Sequence, residues 1–358
     1  MVRRLSLLAL TMAGACTLQR TPTPASPSRA FSRQSVSSTT VPMPMAGMDD
    51  HMAHMMPADR AASAGRVALT QDVPGLPASN GAAAARLEKS PRHGEWVKIA
   101  MDPGSADSIM AWLVYPIAAN ARAKAPVVVV VHEIFGLSTW VRGVADQVAA
   151  DGFIAIAPDF LSRVRGGPST VELARDSATK LINSVNVDER NRIIKAVANY
   201  AMMLPAAQPK YAVIGYCWGG QTVWAHAVDG GLKGFSGGVP FYGAPPSVGG
   251  SRATATTPAV PATADAAALA KINVPIMLLN GSTDTRITAL MPATDSIMKA
   301  NKKDYVGINY DGAVHGFLRE QAEPRAQRNE AAEIANVAAT KDAWPRTITF
   351  LRKQLGVK

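Results

Sequence analysis

Three short stretches carry residue types that can do nucleophilic chemistry together. In Gly215-Tyr216-Cys217-Trp218-Gly219-Gly220 a thiol stands among glycines at the end of an apolar run over residues 211–215. If that run is a buried strand and a helix covers 221–228, Cys217 occupies the sharp turn between them, the position of a nucleophile elbow. The glycines have a steric purpose, since they let the backbone turn tightly and the helix approach the sheet. A helix N-terminus beside the sulfur aims backbone N–H groups at it, which suits an attacking anion.

A cysteine nucleophile needs a base, and the base needs an orienting acid. Of the six histidines, His51 and His54 lie in a polar N-terminal stretch, His93 precedes the regular pattern and His226 falls inside the helix after the elbow. His132 and His315 remain. His315 sits in Asp311-Gly312-Ala313-Val314-His315-Gly316-Phe317, where glycines leave the loop free to aim the ring. For the acid, Asp284 closes Asn280-Gly281-Ser282-Thr283-Asp284, just past an apolar run at 275–279. Asp295, Asp304 and Asp311 are rivals, better suited to solvent or to capping.

These groups need a scaffold, and the apolar pattern supplies one. Strands are expected at 96–100, 110–115, 127–131 (five valines), 153–157, 211–215, 234–242, 275–279 and 305–310. Helices are expected at 140–150 and at 189–203, the second capped by Asp188, and around 289–300 and 342–355; Ser169-Thr170-Val171-Glu172 reads as a capping box opening another. Residues 246–268, rich in Ser, Ala, Thr and Pro, read as an inserted surface loop. Strands alternating with helices define an α/β domain with a mainly parallel sheet flanked by helices. Such a sheet presents its chemistry at the C-terminal ends of its strands. Cys217, Asp284 and His315 all fall there, in the nucleophile–acid–histidine order of the α/β-hydrolase fold.

His132-Glu133-Ile134-Phe135-Gly136 begins like a zinc-binding helix, but position 136 is Gly and the segment leaves a strand, so a metal reading fails. What it offers is a carboxylate at another strand end.

At 358 residues and 47% hydrophobic content, the chain can build one large domain with additional sequence. Residues 1–15 combine Arg3 and Arg4, an apolar stretch and Ala13-Gly14-Ala15, the pattern of a signal peptide, so export is expected. Cys16 follows directly, so a lipid anchor on Cys16 competes with simple secretion. The folded part then keeps one thiol, Cys217, and forms no internal disulfide. Residues 16–91 read as a disordered Pro/Ala/Ser/Met-rich tether, leaving 92–358 as the folded domain. Within the tether, Met48, His51, Met52, His54 and Met55 are ligand types that suit copper. The net charge of +10 comes from scattered residues with no basic run, which argues against nucleic acid as a partner.

The domain resembles the dienelactone hydrolase family (carboxymethylenebutenolidases). The likeness rests on His132-Glu133-Ile134-Phe135-Gly136-Leu137, Gly215-Tyr216-Cys217-Trp218-Gly219-Gly220, Gly281-x-x-Asp284 and Tyr310-Asp311-Gly312-Ala313-Val314-His315-Gly316-Phe317. The resemblance implies an attack by Cys217 on an ester carbonyl, proton shuttling by His315, an imidazole held by Asp284, and a thiol whose protonation Glu133 controls. It implies an oxyanion hole from the N–H groups of Ile134 and Trp218, each donor contributing ~3 kcal/mol. It also implies that Arg319, four residues after the histidine, holds a substrate carboxylate; for a second arginine, Arg163 and Arg165 are in the right region. No metal or organic cofactor is needed for this chemistry. The expected activity is hydrolysis of small esters or lactones through an acyl-enzyme; the alternative is an exported copper-handling or redox-sensing protein on a hydrolase scaffold.

Overall fold

The computed structural model describes residues 73–117, 123–169, 174–251, 257–258, 260–323 and 329–357. The leader, Cys16 and the Met- and His-rich tract lie outside these residues. Among the described residues no helix is long and apolar enough to cross a membrane, and no group of His, Cys, Asp and Glu could hold a metal ion.

The domain is built on one eight-stranded sheet in the order β1-β2-β4-β3-β5-β6-β9-β10. A short helix α1 (Ala83–Glu88) precedes the hairpin of β1 (Gly94–Ala100) and β2 (Ser108–Val114), which pairs antiparallel with Trp96 opposite Trp112. Then β3 (Ala125–Val131) enters the centre, where Val127 through Val131 have no exposed surface. An all-apolar run is what a strand covered on both faces requires. Helix α2 (Thr139–Ala150), β4 (Ile154–Pro158), α3 (Ser162–Arg165), α4 (Arg175–Ile182) and α5 (Val187–Met202) follow. The chain continues through β5 (Ala207–Tyr216), α6 (Trp218–Asp229) and β6 (Phe235–Phe241), then β9 (Ile276–Gly281), α8 (Thr285–Thr288), α9 (Met291–Ala300), β10 (Tyr305–Tyr310), α10 (Phe317–Glu320) and α11 (Glu330–Leu355). From β4 across to β10 every pairing is parallel; β2 meets β4 antiparallel. The strand expectations hold in place and type.

Several readings need correction. The inserted stretch at 246–268 is not simply a loop: β7 (Ser247–Ser251) and β8 (Val260–Ala264) pair antiparallel, and α7 (Ala266–Ala270) follows, capped by Asp265. Helix α5 is capped by Asn186, whose Oδ1 accepts the Glu189 N–H at 2.9 Å, and not by Asp188. Of the expected capping box Ser169-Thr170-Val171-Glu172 only Ser169 lies within the described residues; its hydroxyl donates to Asp159 Oδ1 at 2.8 Å, and buried Asp159 uses its second oxygen on the Ser169 N–H.

Another concerns the tether. The packed chain begins well before residue 92: Leu76, Ala78 and Ala83 belong to the hydrophobic core. Gln321 donates to the Pro77 carbonyl at 2.9 Å, Trp140 to that of Ala78 at 3.1 Å, and the Asn80 N–H donates to the Arg319 carbonyl at 2.8 Å. Polar composition misled here because the strap is held by backbone hydrogen bonds as much as by apolar area. Ala83, 1% exposed against Gly143 of α2, gives the test. Ala83→Asp in the full chain buries an unpaired charge, and Tm is expected to fall by about 5–10 °C in thermal denaturation. An unchanged Tm would return these residues to a tether.

Candidate active site

The site is assembled from the C-terminal ends of five parallel strands. At the end of β5, Cys217 takes φ 57° and ψ −114°, a conformation that L residues rarely adopt, and α6 starts on the next residue. Such a backbone costs about 1–3 kcal/mol and persists only where its surroundings impose it. The surroundings here are close contacts. A Cβ on Gly219 would lie 2.6 Å from the His132 carbonyl oxygen and nearer still to that of Val131, at the end of β3. On Gly220 it would lie 2.7 Å from the Phe241 carbonyl oxygen, at the end of β6. The Cys217 N–H donates to that same Phe241 oxygen at 3.1 Å. The thiol is half-buried and free. Because α6 begins at Trp218, its first N–H groups have no intrahelical acceptor and face the turn.

At the end of β9, buried Asp284 meets the loop that follows β10. His315 Nδ1 lies 2.7 Å from Asp284 Oδ2. This loop is stapled in place: the Thr283 hydroxyl donates to the Ala313 carbonyl at 3.0 Å, the Gly312 N–H to the Ser282 hydroxyl at 2.9 Å, and the Val314 N–H to Asn336 Oδ1 at 2.9 Å. With Nδ1 committed to Asp284, the other ring nitrogen is left for Cys217, which acts on the same imidazole. Burial alone would lower the imidazole, but the hydrogen bonds to Asp284 and Cys217 and their charges outweigh it, pushing His315 up to about 10. Burial likewise raises the Asp284 carboxyl, and His315 with Arg286 overcomes this and holds it below its ordinary value.

A histidine raised from 6.5 to about 10 contributes stability that is whole below pH 6.5 and lost as pH rises through about 10. The Tm advantage of the wild type over His315→Gln should therefore shrink steadily across that window. A gap that stays constant from pH 6 to about 10 would show an imidazole with its ordinary affinity for protons.

Glu133 follows β3 and is buried, as is Arg319 in α10; Arg319 Nε lies 3.3 Å from Glu133 Oε2. The Arg319 guanidinium also rests 5.0 Å from the centre of the Phe135 ring. Ile134 follows Glu133 at the same strand end, whose Val131 and His132 carbonyls pack against Gly219, the residue after Trp218.

His132 is a structural member and no base. Its Nδ1 pairs with the Glu133 carbonyl, and its Nε2 accepts the Phe160 N–H at 3.0 Å. An N–H donor against Nε2 requires that nitrogen unprotonated, and full burial lowers the ring's proton affinity, which the charge of Asp159 only partly opposes. The ring thus splints the ends of β3 and β4 while stacking 5.9 Å from Trp218.

The other candidates are engaged elsewhere. Arg163 pairs with Asp107 at 2.9 Å and with Glu189. Asp295 Oδ1 lies with the Tyr305 hydroxyl beside Gly307, and the Asp304 carbonyl accepts the Ile276 N–H. Asp311 accepts from the Ser282 hydroxyl at 3.4 Å. His226 is buried against the Tyr211 hydroxyl at 2.9 Å.

Sequence reasoning missed Tyr242, which follows β6 with φ 36° and sets its ring 5.1 Å from His315. The only local signal was the Tyr242-Gly243 pair after a glycine-rich strand. It also missed Arg190, whose guanidinium sits 4.4 Å from the Trp218 ring.

A mixed, mostly parallel sheet with a strained cysteine on a strand–turn–helix elbow, and an Asp–His pair at two later strand ends, defines an α/β hydrolase. Within that class the chain belongs to the dienelactone hydrolase family, whose model matches residues 111–355. A Synechocystis protein described as "Putative carboxymethylenebutenolidase" is 30% identical over 267 residues, covering 71% of this chain and 95% of its own. The "Carboxymethylenebutenolidase" of Pseudomonas putida is 30% identical over 113 residues, 31% of this chain and 48% of that protein. Among solved structures, a "Putative Dienelactone Hydrolase" from Klebsiella pneumoniae superposes with a TM-score of 0.56 at 23% identity, covering 73% of this chain and 99% of that one, which speaks to the fold. The chain is a dienelactone hydrolase-like hydrolase, and the family implies a small ester or lactone as substrate.

Proposed function

We propose that this hydrolase works through a Cys217–His315–Asp284 triad with an acyl-enzyme on Cys217. The observation that carries the reading is the His315–Asp284 pair at 2.7 Å, set at the strand ends beside the elbow whose Cys217 acts electrostatically on the same imidazole. Cys217 attacks the carbonyl carbon; His315, held in one tautomer by Asp284, manages the proton and passes it to the leaving alcohol. Water then attacks the thioester with His315 as base, releasing the acid and restoring the thiol. The N–H groups of Ile134 and Trp218 stabilise the oxyanion in both steps.

Glu133 and Arg319 supply control. In the resting site each neutralises the other at 3.3 Å. A substrate carboxylate competes for Arg319, a guanidinium being suited to bidentate capture of such a group. Released from Arg319, Glu133 becomes an available proton acceptor beside the thiol. Small esters or lactones bearing a carboxylate are therefore the favoured substrates.

The direct test is to mix the protein with a panel of carboxylate-bearing lactones and esters, quench early and weigh it. An added acyl mass on the peptide containing Cys217 is expected. Turnover with no acyl adduct, or an adduct on another residue, would sink the covalent scheme.

A further inference from the structure

Asp284 serves two donors with one oxygen. His315 Nδ1 lies 2.7 Å from its Oδ2, and the Arg286 guanidinium reaches the same Oδ2 through Nη2 at 3.1 Å. The Asp284 side chain is 3% exposed and that of Arg286 68%, so one end of this pair belongs to the site and the other to solvent. The scheme above gives the arginine no part.

The local chain explains how it is held there. Asp284 stands at the N-cap of α8, where an aspartate ordinarily accepts an N–H of its own helix. Its side chain makes no such bond; the Ile287 and Thr288 N–H groups donate to the Asp284 carbonyl instead, at 3.2 and 2.9 Å. The carboxylate is thereby left to face His315 and Arg286. On the far side of Arg286, Ile287 is buried and the Thr288 hydroxyl donates to the Ser282 carbonyl at 3.1 Å. A turn pinned before and after Arg286 fixes where its side chain starts.

Two donors on one oxygen have two consequences. They stop the carboxylate from turning about its last torsion, which is otherwise soft. They also divide its negative charge, so that an imidazolium is held less tightly than by a carboxylate of its own. A group that must give up a proton during the reaction does so best when its proton affinity is not far above the working pH.

We infer that Arg286 is a positioning residue: from the solvent side it holds Asp284 Oδ2 on His315 and takes up part of its charge, easing transfer of the imidazolium proton to the leaving alkoxide as the ester C–O bond breaks. The inference rests on the triad proposed above. Other titratable groups facing the pair are Cys217 on the elbow, Tyr242 after β6 with its ring 5.1 Å from His315, Asp311 on the Ser282 hydroxyl at 3.4 Å, and Glu320 of α10 beside Gly316. All of them stay in place when Arg286 is replaced.

Arg286→Gln alters an exposed side chain, and Tm should stay within a few degrees of wild type. The His315 proton is followed by the carbon NMR signal of its Cε1 in the labelled full chain, assigned by its loss in His315→Gln. The midpoint is expected about 0.3–0.7 pH unit higher in Arg286→Gln, the scale of a largely exposed ion pair. Arg286→Lys keeps the charge and should stay near wild type. Raising NaCl from about 0.05 to about 1 M should move the wild-type midpoint towards that of Arg286→Gln and move the variant's far less. For ethyl butyrate, whose alkoxide must be protonated to leave, kcat/KM in Arg286→Gln should fall about two- to threefold. For para-nitrophenyl butyrate, whose phenolate departs unaided, the loss should be smaller. In an Asp284→Asn background, Arg286→Gln should change neither midpoint nor rate, as a double-mutant cycle requires of two groups acting through each other.

A midpoint that stays put in Arg286→Gln overturns the inference. So does one that moves as far in Arg286→Lys, an equal loss on both esters, or an effect that persists undiminished in Asp284→Asn. Full activity in Cys217→Ala or Asp284→Asn overturns the triad and this inference with it. A triad that passes those tests beside an unmoved midpoint overturns this inference alone.

Discussion

Cys217→Ala is expected to lower kcat/KM for short-chain esters by about four orders of magnitude or more, with Tm within a few degrees of wild type. The size follows from the unit character of a nucleophile and its base: without the sulfur, His315 has nothing to activate but a water, and what remains is binding and the oxyanion hole. The thiol is small and half-buried, so losing it leaves little cavity. Cys217→Ser is not expected to rescue the loss, because the hydroxyl is a far weaker acid than a thiol and the same base must then strip its proton. Retention of more than a hundredth of wild-type activity in Cys217→Ala, measured with a chromogenic ester on protein free of other esterases, would show that the hydrolysis runs elsewhere.

Gly219→Ala is expected to be as severe for a different reason. The added methyl meets two backbone carbonyl oxygens of the β3 end, one of them at 2.6 Å, and backbone has no rotamer by which to yield. Overpacking ordinarily costs about 1–3 kcal/mol, and this collision belongs at or above the top of that range. For a domain of this size the corresponding fall in Tm is about 8 °C or more. Whatever folds should have α6 pushed away from the end of β3, so that the Trp218 N–H moves relative to Ile134 and the remaining activity falls by more than the folded fraction. A soluble variant with wild-type Tm would mean that the elbow is looser than its contacts imply.

How much of this is legible in the sequence depends on whether the cause is local. The valine run, the glycine-framed cysteine and the strand ends carrying Asp284 and His315 are written in adjacent residues, and each fell where its neighbours indicated. Helix α11 was read too short because Glu333, Asn336 and Thr340 lie on its buried side, so no apolar stripe marked residues 330–341. Asn336 is there to serve the site: it accepts the Val314 N–H next to His315 and donates to the Gln321 carbonyl at 3.1 Å. Tyr242 was invisible for a related reason, since a positive φ at a non-glycine residue is imposed by packing from other strands. The grip of residues 76–81 on the Arg319 turn is a contact across some 240 positions, which no local pattern encodes. The pairing of Glu133 with Arg319 was open to inference only as two residues implied by the family; that they hold each other belongs to the fold.

The bend at Cys217 has one further bearing. Nothing within the pentapeptide prefers φ 57°; the conformation is enforced by β3, β5, β6 and α6 closing round it. The reactive shape is thus a property of the assembled sheet, and a chain that has lost its tertiary grip carries only a commonplace cysteine. Loss of alkylation selectivity at this position is for that reason a sensor of the first loosening of the fold, one that should respond before the helices unwind.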